Sequence, residues 1–301
     1  MTPENLRELS RLLVRQLGLL DNYCGDMLLT PVQAHTMIEL EPEPMTVSEM
    51  SLRLNVDKSN ASRTLATLLN QGVVESVPHP TDGRSMVFRL TDAGREKLKV
   101  LHCQLNGQVQ AFMEQLEADE QAALESSLRR YIRAMQVVPR QSGYTFRELT
   151  ALDNASVAAV IRRVSAEYGL TGECGYGVTD PFLDRLSEVY APDNCEYWVI
   201  EREYRVLGGG GIAPLKGEEE LAELQKMYFL PELRGRGFAR KLAVKALAFA
   251  RLKGYRGCYL ETTANLTEAI ALYESLGFER LSNSMGDTGH DACEVCMIKW
   301  F

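Results

Sequence analysis

The feature that most constrains this chain is a change of texture near residue 140. Ahead of it, apolar residues recur every three or four positions. Leu6, Leu9, Leu13, Leu17 and Leu20 form one such stripe, the spacing of an amphipathic helix. Thr30-Pro31 and Thr46 read as helix starts. Two short helices are predicted at 47–53 and 58–70, the second ended by Gly72. The runs VVESV (73–77) and SMVFRL (85–90) flank PHPTDGR, which predicts a β-hairpin. Two long helices are expected over 92–138. Beyond residue 143 strands alternate with helices. Strands are expected at 144–149, 195–201, 206–215, 221–230 and 257–263, and helices at 153–168, 237–253 and 266–276. Such alternation implies an α/β sheet. The chain therefore predicts two domains, 1–138 and 144–301, joined by the linker PRQSG at 139–143.

A length of 301 residues suits two domains, and 45% hydrophobic with 25% charged residues suits folded cores. The chain has no run of 18 apolar residues, and MTPENLRELS lacks the basic and apolar regions of a signal peptide. Its seven cysteines are odd in number and mostly scattered, as expected of reduced thiols in a bacterial cytoplasm. The net charge of −8 disfavours nucleic acid on average. One segment departs from that average. Between Arg53 and Lys99 there are eight Lys and Arg against five Asp and Glu, and a local basic face matters more than the total.

A helix, a short turn, a second helix and a hairpin follow the order of a winged helix-turn-helix. In the second helix (57–72) Asp57 can cap, and Leu65, Leu68 and Leu69 form the buried face. Lys58, Ser59, Asn60, Ser62, Arg63 and Thr64 crowd its amino-terminal half. Short hydrogen-bonding residues with a cation suit a major groove. Arg84 at the hairpin tip suits a narrow minor groove. The alternatives are a solvated surface helix, or a fold that serves only to dimerise. DKSNASRTLATLLNQGVV (57–74) and DGRSMVFRLTDAGR (82–95) resemble the MarR family of regulators, the second through Asp82, Arg84, Leu90, Thr91 and Gly94. The resemblance covers about 5–138. It implies a homodimer held by the first and last helices, with each second helix in a major groove of a double-stranded operator. It also implies that Asp82 braces Arg84, and that Lys58, Ser59, Asn60, Ser62, Arg63 and Thr64 face DNA.

The strongest chemical motif is LRGRGFARKL (233–242), between a strand and an amphipathic helix. A Gly-rich turn at a helix N-terminus exposes amides to an anion such as pyrophosphate. Gly235 and Gly237 permit close backbone approach, and Arg234, Arg236 and Arg240 can add charge. The motif lacks the patterns of a dinucleotide fold or a P-loop. Arg234, Gly237 and Ala239, preceded by LQKMYFLP and followed by ALYESLGF (271–278), resemble the GNAT superfamily of N-acetyltransferases over about 144–301. The resemblance implies an α/β mixed-sheet fold behind the mainly-α winged helix-turn-helix domain, with acetyl-CoA as co-substrate. Pantetheine would lie along Met227, Tyr228 and Phe229, and pyrophosphate against Gly235, Arg236, Gly237, Phe238, Ala239 and Arg240. Asn265 would bond pantetheine, and Tyr273 would lie near the sulfur.

The chemistry that follows is direct attack of an amine on the thioester, with the Phe229 N–H opposite the oxyanion and Tyr273 as general acid. Glu223 is the first candidate base and Glu261 the second. Either carboxylate could instead be structural. A small amine or amino acid is the expected acceptor, with protein lysine as the alternative, and residues 169–194 are expected to shape its pocket. A domain that only senses acyl-CoA is the competing function, and a dimeric enzyme with a relic helix-turn-helix is a third. No metal is expected. His290, Cys293 and Cys296 supply only three ligands, and residues three apart on a strand face opposite ways. GGGG at 208–211 is expected to be a loop or a bulge.

Overall fold

A computed structural model describes residues 2–24, 27–82, 84–170, 180–288 and 293–301. The chain divides into two compact units, Met1–Ser126 and Ser127–Phe301. The division falls ahead of residues 139–143, within a helix.

The first unit contains α1 (Pro3–Gln16), α2 (Pro31–Glu39), α3 (Val47–Leu54), α4 (Lys58–Asn70), β1 (Val74–Pro78), β2 (Met86–Leu90), α5 (Asp92–Met113) and the start of α6 (Ala118–Val137). Local chemistry sets the starts. Thr30 and Thr46 each accept an amide from the third helical residue, Gln33 or Glu49, whose side chain returns the bond, a reciprocal cap. The Asp57 side chain accepts from Asn60 N at 2.8 Å and so caps α4. β1 and β2 pair antiparallel from Val74↔Leu90 to Pro78↔Met86, and Met45 bridges to Phe88.

α4 turns Ala61, Thr64, Leu65 and Leu68 inward against a core that includes Met37, Met50, Leu90 and Leu98. This corrects one expectation. Thr64 is 8% exposed and lies on the buried stripe, because positions 61, 64, 65 and 68 share a helix face. It does not belong to the DNA-facing set.

α5 is fixed to the hairpin by Thr91. Its hydroxyl donates to Gly72 O at 2.8 Å and accepts from Gly94 N at 3.0 Å. The contact leaves no room for a side chain at Gly94, where a Cβ would stand 2.0 Å from the Val73 carbonyl oxygen. By contrast α1 and α6 bury no residue. Leu9, Leu12 and Leu13 on α1, and Leu124 on α6, are exposed.

The second unit carries β3 (Thr145–Glu148), α7 (Asn154–Glu167), α8 (Leu186–Val189), β4 (Glu196–Arg202), β5 (Arg205–Leu215), β6 (Glu218–Phe229), α9 (Phe238–Leu252), β7 (Gly257–Thr262), α10 (Thr267–Ser275), β8 (Glu279–Leu281) and β9 (Val295–Trp300). Seven strands form one sheet in the order β3-β4-β5-β6-β7-β9-β8. Only the β6–β7 pairing is parallel among the described residues. β4 alternates between two cores, as a strand must. Tyr197 and Val199 join Ile161 of α7 and Leu186 of α8, while Trp198 and Ile200 join Leu242 and Ala246 of α9. The Arg147 guanidinium anchors the start of this unit. It donates to both Asp153 oxygens at 2.7 and 2.9 Å and to Glu201 at 2.6 Å.

The four glycines at 208–211 are not a loop. They lie inside β5, beside a register shift between Gly209 and Gly211. Opposite the shift, Lys226 and Met227 bulge from β6, with Lys226 at φ 51°. The glycines are needed because the sheet is closely covered. A Cβ on Gly211 would meet the Tyr190 ring at 2.5 Å, and one on Gly210 would meet Met227 Cγ at 2.7 Å.

Gly94→Ala should destabilise the first unit by about 2 kcal/mol or more, since the added methyl overlaps a backbone oxygen that cannot rotate away. Chemical denaturation with unit-specific probes should show that transition moving while the second unit's stays in place.

Candidate functional sites

In the second unit β6 leaves one of its neighbours. It pairs with β5 as far as Phe229 but with β7 only over Leu221–Glu223. β7 continues to Thr262, paired on its other side with β9. The strands therefore part beyond Glu223, and a cleft of about 800 Å³ opens there. Leu224, Met227, Tyr228 and Phe229 line one wall, and Thr262, Thr263 and Leu266 line the other. Leu230 N donates to Leu207 O at 2.9 Å. By the two-residue strand period, the Phe229 amide points the opposite way, into the gap.

The cleft runs to the Gly-rich turn. Gly235 and Gly237 have φ of 69° and 78°, values that favour glycine. Gly237 caps α9 without a side-chain hydrogen bond, so the first-turn amides of Phe238, Ala239 and Arg240 have no intrahelical acceptor. Free amides and a helix dipole at such a start suit an anion. Arg240 lines the cleft, with its guanidinium on Ser275 Oγ at 2.8 Å. The cationic side chains of the motif divide their work. Arg234 lines the cleft but is engaged by Glu167 at 2.5 and 2.8 Å, and by Phe229 O at 3.0 Å. It holds the turn to α7. Arg236 does not line the cleft. It donates to Glu232 O at 2.9 Å and lies over the Tyr144 ring. This corrects the expectation of a pyrophosphate contact from its side chain. Asn265 is likewise outside the lining. It is exposed, accepts from the Thr263 hydroxyl, and donates to Tyr168 O at 3.5 Å.

At the other end the cleft gathers Glu223, Glu261 and Tyr273. Glu223 is 4% exposed. Burial pushes its pKa up to about 7, the Glu261 charge adds to that, and the bond from Gln225 opposes it. That bond runs from Gln225 Nε2 to Glu223 Oε2 at 2.6 Å, and Gln225 Oε1 accepts from the Tyr190 hydroxyl at 2.8 Å. Glu261 is held by two hydroxyls, Tyr259 at 2.5 Å and Thr288 at 2.9 Å. Tyr273 is 7% exposed, and its hydroxyl donates to Met227 Sδ at 3.7 Å. Burial holds the Tyr273 phenol well above the usual range, with the Cys258 and Tyr228 groups adding to it, so it keeps its proton.

Some lining residues were not singled out from the sequence. Gln225 was within reach of that reading, because it stands two residues from Glu223 on one strand face. Lys226, paired with Asp180 at 2.7 Å, and Cys293 also line this end. Burial raises the Cys293 pKa to about 12, with Glu261 adding to the effect. Arg133, Val137 and Arg140 line the far end. His290 and part of 169–194 fall outside the described residues. Among the described residues no group of three or more His, Cys, Asp or Glu could hold a metal ion.

In the first unit Lys58, Ser59, Ser62 and Arg63 are exposed on α4, and Asn60 is half-buried. The Ser59 hydroxyl donates to the capping Asp57, and Arg63 Nε donates to Ser59 O at 3.3 Å. Asp82 braces the hairpin tip through the backbone. Its carboxylate accepts from the Arg84 amide at 3.1 Å, which leaves the exposed Arg84 side chain to project.

Two family models match the chain. The MarR family matches residues 29–85, and the acetyltransferase (GNAT) family matches 166–278. The Escherichia coli (strain K12) uncharacterized N-acetyltransferase YjgM is 58% identical over 154 residues, which cover 51% of this chain and 92% of that protein. N-acetylaspartate synthetase of Xenopus tropicalis is 40% identical over 92 residues, 30% of this chain and 32% of the synthetase. The chain thus spans about a third of the synthetase's length. The apo crystal structure of E. coli MarR is 28% identical, at a TM-score of 0.37 over 44% of this chain and 96% of that one. The chain belongs to the GNAT acetyltransferase family and carries a MarR-family winged helix-turn-helix in front of it.

Proposed function

We propose that the protein is both a DNA-binding regulator and an acetyl-CoA-dependent N-acetyltransferase. The observation that carries the transferase reading is one cleft that joins an unpaired strand edge, an uncapped helix N-terminus, a buried carboxylate and a buried phenol. The residues fit acetyl-CoA. The β6 edge from Leu224 to Phe229 offers free amides to an extended pantetheine, and the first turn of α9 offers amides to a pyrophosphate. Bound there, acetyl-CoA supplies an activated acetyl group as a thioester.

The remaining work falls to this chain's residues. An alkyl ammonium has a pKa of about 10 and must lose a proton before it can attack. Glu223, with its pKa raised to about 7, is ionised for a useful fraction of time and basic enough to take that proton. Glu261 is less suited, because two hydroxyls already hold its oxygens. The Phe229 amide faces the position of the developing oxyanion. Tyr273, kept neutral by burial, gives its proton to the leaving thiolate. The amine nitrogen gains the acyl carbon, the carbon–sulfur bond breaks, and CoA leaves as the thiol. The acceptor is a small amine or an amino acid. It would enter at the Glu223 end, which the Lys226–Asp180 ion pair also borders.

The regulator reading rests on the exposed basic face of α4 and the projecting Arg84. The uncovered apolar faces of α1 and α6 suit a second copy of the chain, which would present two recognition helices to a pseudo-palindromic duplex.

The pH profile of kcat/KM should fall below a midpoint near 7, because the active form of Glu223 is the deprotonated one and its pKa is about 7. Glu223→Gln should abolish that limb and lower kcat by about 10²–10⁴-fold. Tyr273→Phe should lower kcat by about 10²-fold or more while acetyl-CoA affinity is retained. Unchanged turnover would remove Tyr273 from the acid role. Acetyl-CoA binding without turnover across amines, amino acids and lysine peptides would point to a sensor. For the first unit, sedimentation should give a two-chain particle. Arg84→Ala should weaken binding to duplexes selected from a random pool by about tenfold, and unchanged affinity would exclude the wing from DNA contact.

A further inference from the structure

The cofactor cleft is not walled by the transferase motifs alone. The last turns of α6 and the 3-10 turn Val138–Gln141 pack on the Gly-rich loop. Gln141 Nε2 donates to Arg236 O at 3.1 Å, and Gln141 Oε1 accepts from Lys241 Nζ at 3.3 Å. Arg236 donates to the Arg140 carbonyl at 3.4 Å. Val137 lies where a Cβ on Gly237 would fall, 2.7 Å away. These contacts bring Arg133 and Arg140 into the lining of the cleft that Arg240 also lines, and Arg133 stands near enough to act on the Arg240 charge.

Two further cations are thereby added to the cleft lining. Arg147, Arg162, Arg185, Arg205, Arg256 and Arg280 each have a carboxylate partner. Among the described residues Arg133, Arg140 and Arg240 have none. Glu268 lines the same cleft, and its charge acts on Arg234, which Glu167 already engages. Burial, and then the neighbouring Arg133 and Arg130 charges, lower the Arg240 pKa, so the cations repel one another. Such a cluster is stable when an anion neutralises it. The α9 amides already serve a pyrophosphate. The additional cations come from the segment packed on the same Gly-rich loop.

We propose that Arg133 and Arg140, from the segment preceding the transferase fold, bind the 3′-phosphate of CoA and make the site selective for CoA over its dephosphorylated form. The inference rests on the acetyl-CoA reading above. A phosphate monoester carries about −1.5 to −2 charges near neutrality, and two guanidinium groups can match it with charge-assisted hydrogen bonds.

The test is calorimetric titration of the full-length protein with CoA and with dephospho-CoA, at one ionic strength. The wild-type protein should bind CoA about tenfold or more tightly than dephospho-CoA. The double variant Arg133→Ala/Arg140→Ala should bind both with equal affinity and keep the wild-type affinity for dephospho-CoA, which also shows that its cleft is folded. A wild-type protein that does not distinguish the two, or a double variant that keeps the preference, would overturn the inference and leave the acetyl-CoA reading intact. A wild-type protein that binds neither would overturn that reading itself, and this one with it.

Discussion

Beyond Glu223, strand β6 keeps β5 on one side and has nothing on the other. A strand edge inside a sheet is a row of backbone donors and acceptors that must find partners in water or in a ligand. The parting also sets the address of every group in the cleft. Glu223 is the last residue of β6 paired to β7 and so sits at the apex. Met227, Tyr228 and Phe229 follow along the open edge, and the helix that receives the chain begins beyond the turn. The apex is held from below by the glycines of β5. With no Cβ at Gly211, the Tyr190 ring can lie against the sheet, and its hydroxyl reaches Gln225, which in turn holds Glu223. The missing side chain at Gly211 thus reaches, through Tyr190 and Gln225, the orientation of one carboxylate.

Burial acts on opposite partners of the proposed reaction in a single direction. It disfavours charge on both Glu223 and Tyr273. For the carboxylate this brings the proton affinity close to neutrality, where a base can both take up and release a proton. For the phenol it ensures that a proton is present to be given. Glu261 stands near enough to add to the shift on Glu223. Its own oxygens are bound by Tyr259 and Thr288, so two similar carboxylates on neighbouring strands are set apart by their hydrogen bonds.

Much of this could be read from the residues. The helical spacing of the first half, the turn signals around PHPTDGR and the strand–Gly turn–helix order at 221–253 each depend on local chemistry, and each element formed close to its expected bounds. The reading failed where distant residues decide. Thr64 looks like its polar neighbours until the helix is placed on its core. Arg236 matches its motif by position, yet the Glu232 carbonyl and the Tyr144 ring hold its side chain. For the glycines of β5 the sequence leaves a loop and a bulge both open, because the tyrosine and methionine that exclude side chains there come from remote parts of the chain. Arg133 and Arg140 carry no motif at all, and only folding brings them to the cleft.

The packing of Val137 against Gly237 bears on how the chain can change over time. Residues 133–141 meet the Gly-rich loop partly as a helix, and one inserted or deleted residue in a helix turns everything beyond it by about 100°. A single-residue insertion between Arg133 and Val137 would turn one away from the cleft while the other stayed in place. Substitutions along this stretch alter one contact at a time, whereas a change of length alters helical phase and so several contacts at once. The join between the regulator-like and transferase-like sequences is therefore fixed in length more strictly than in composition.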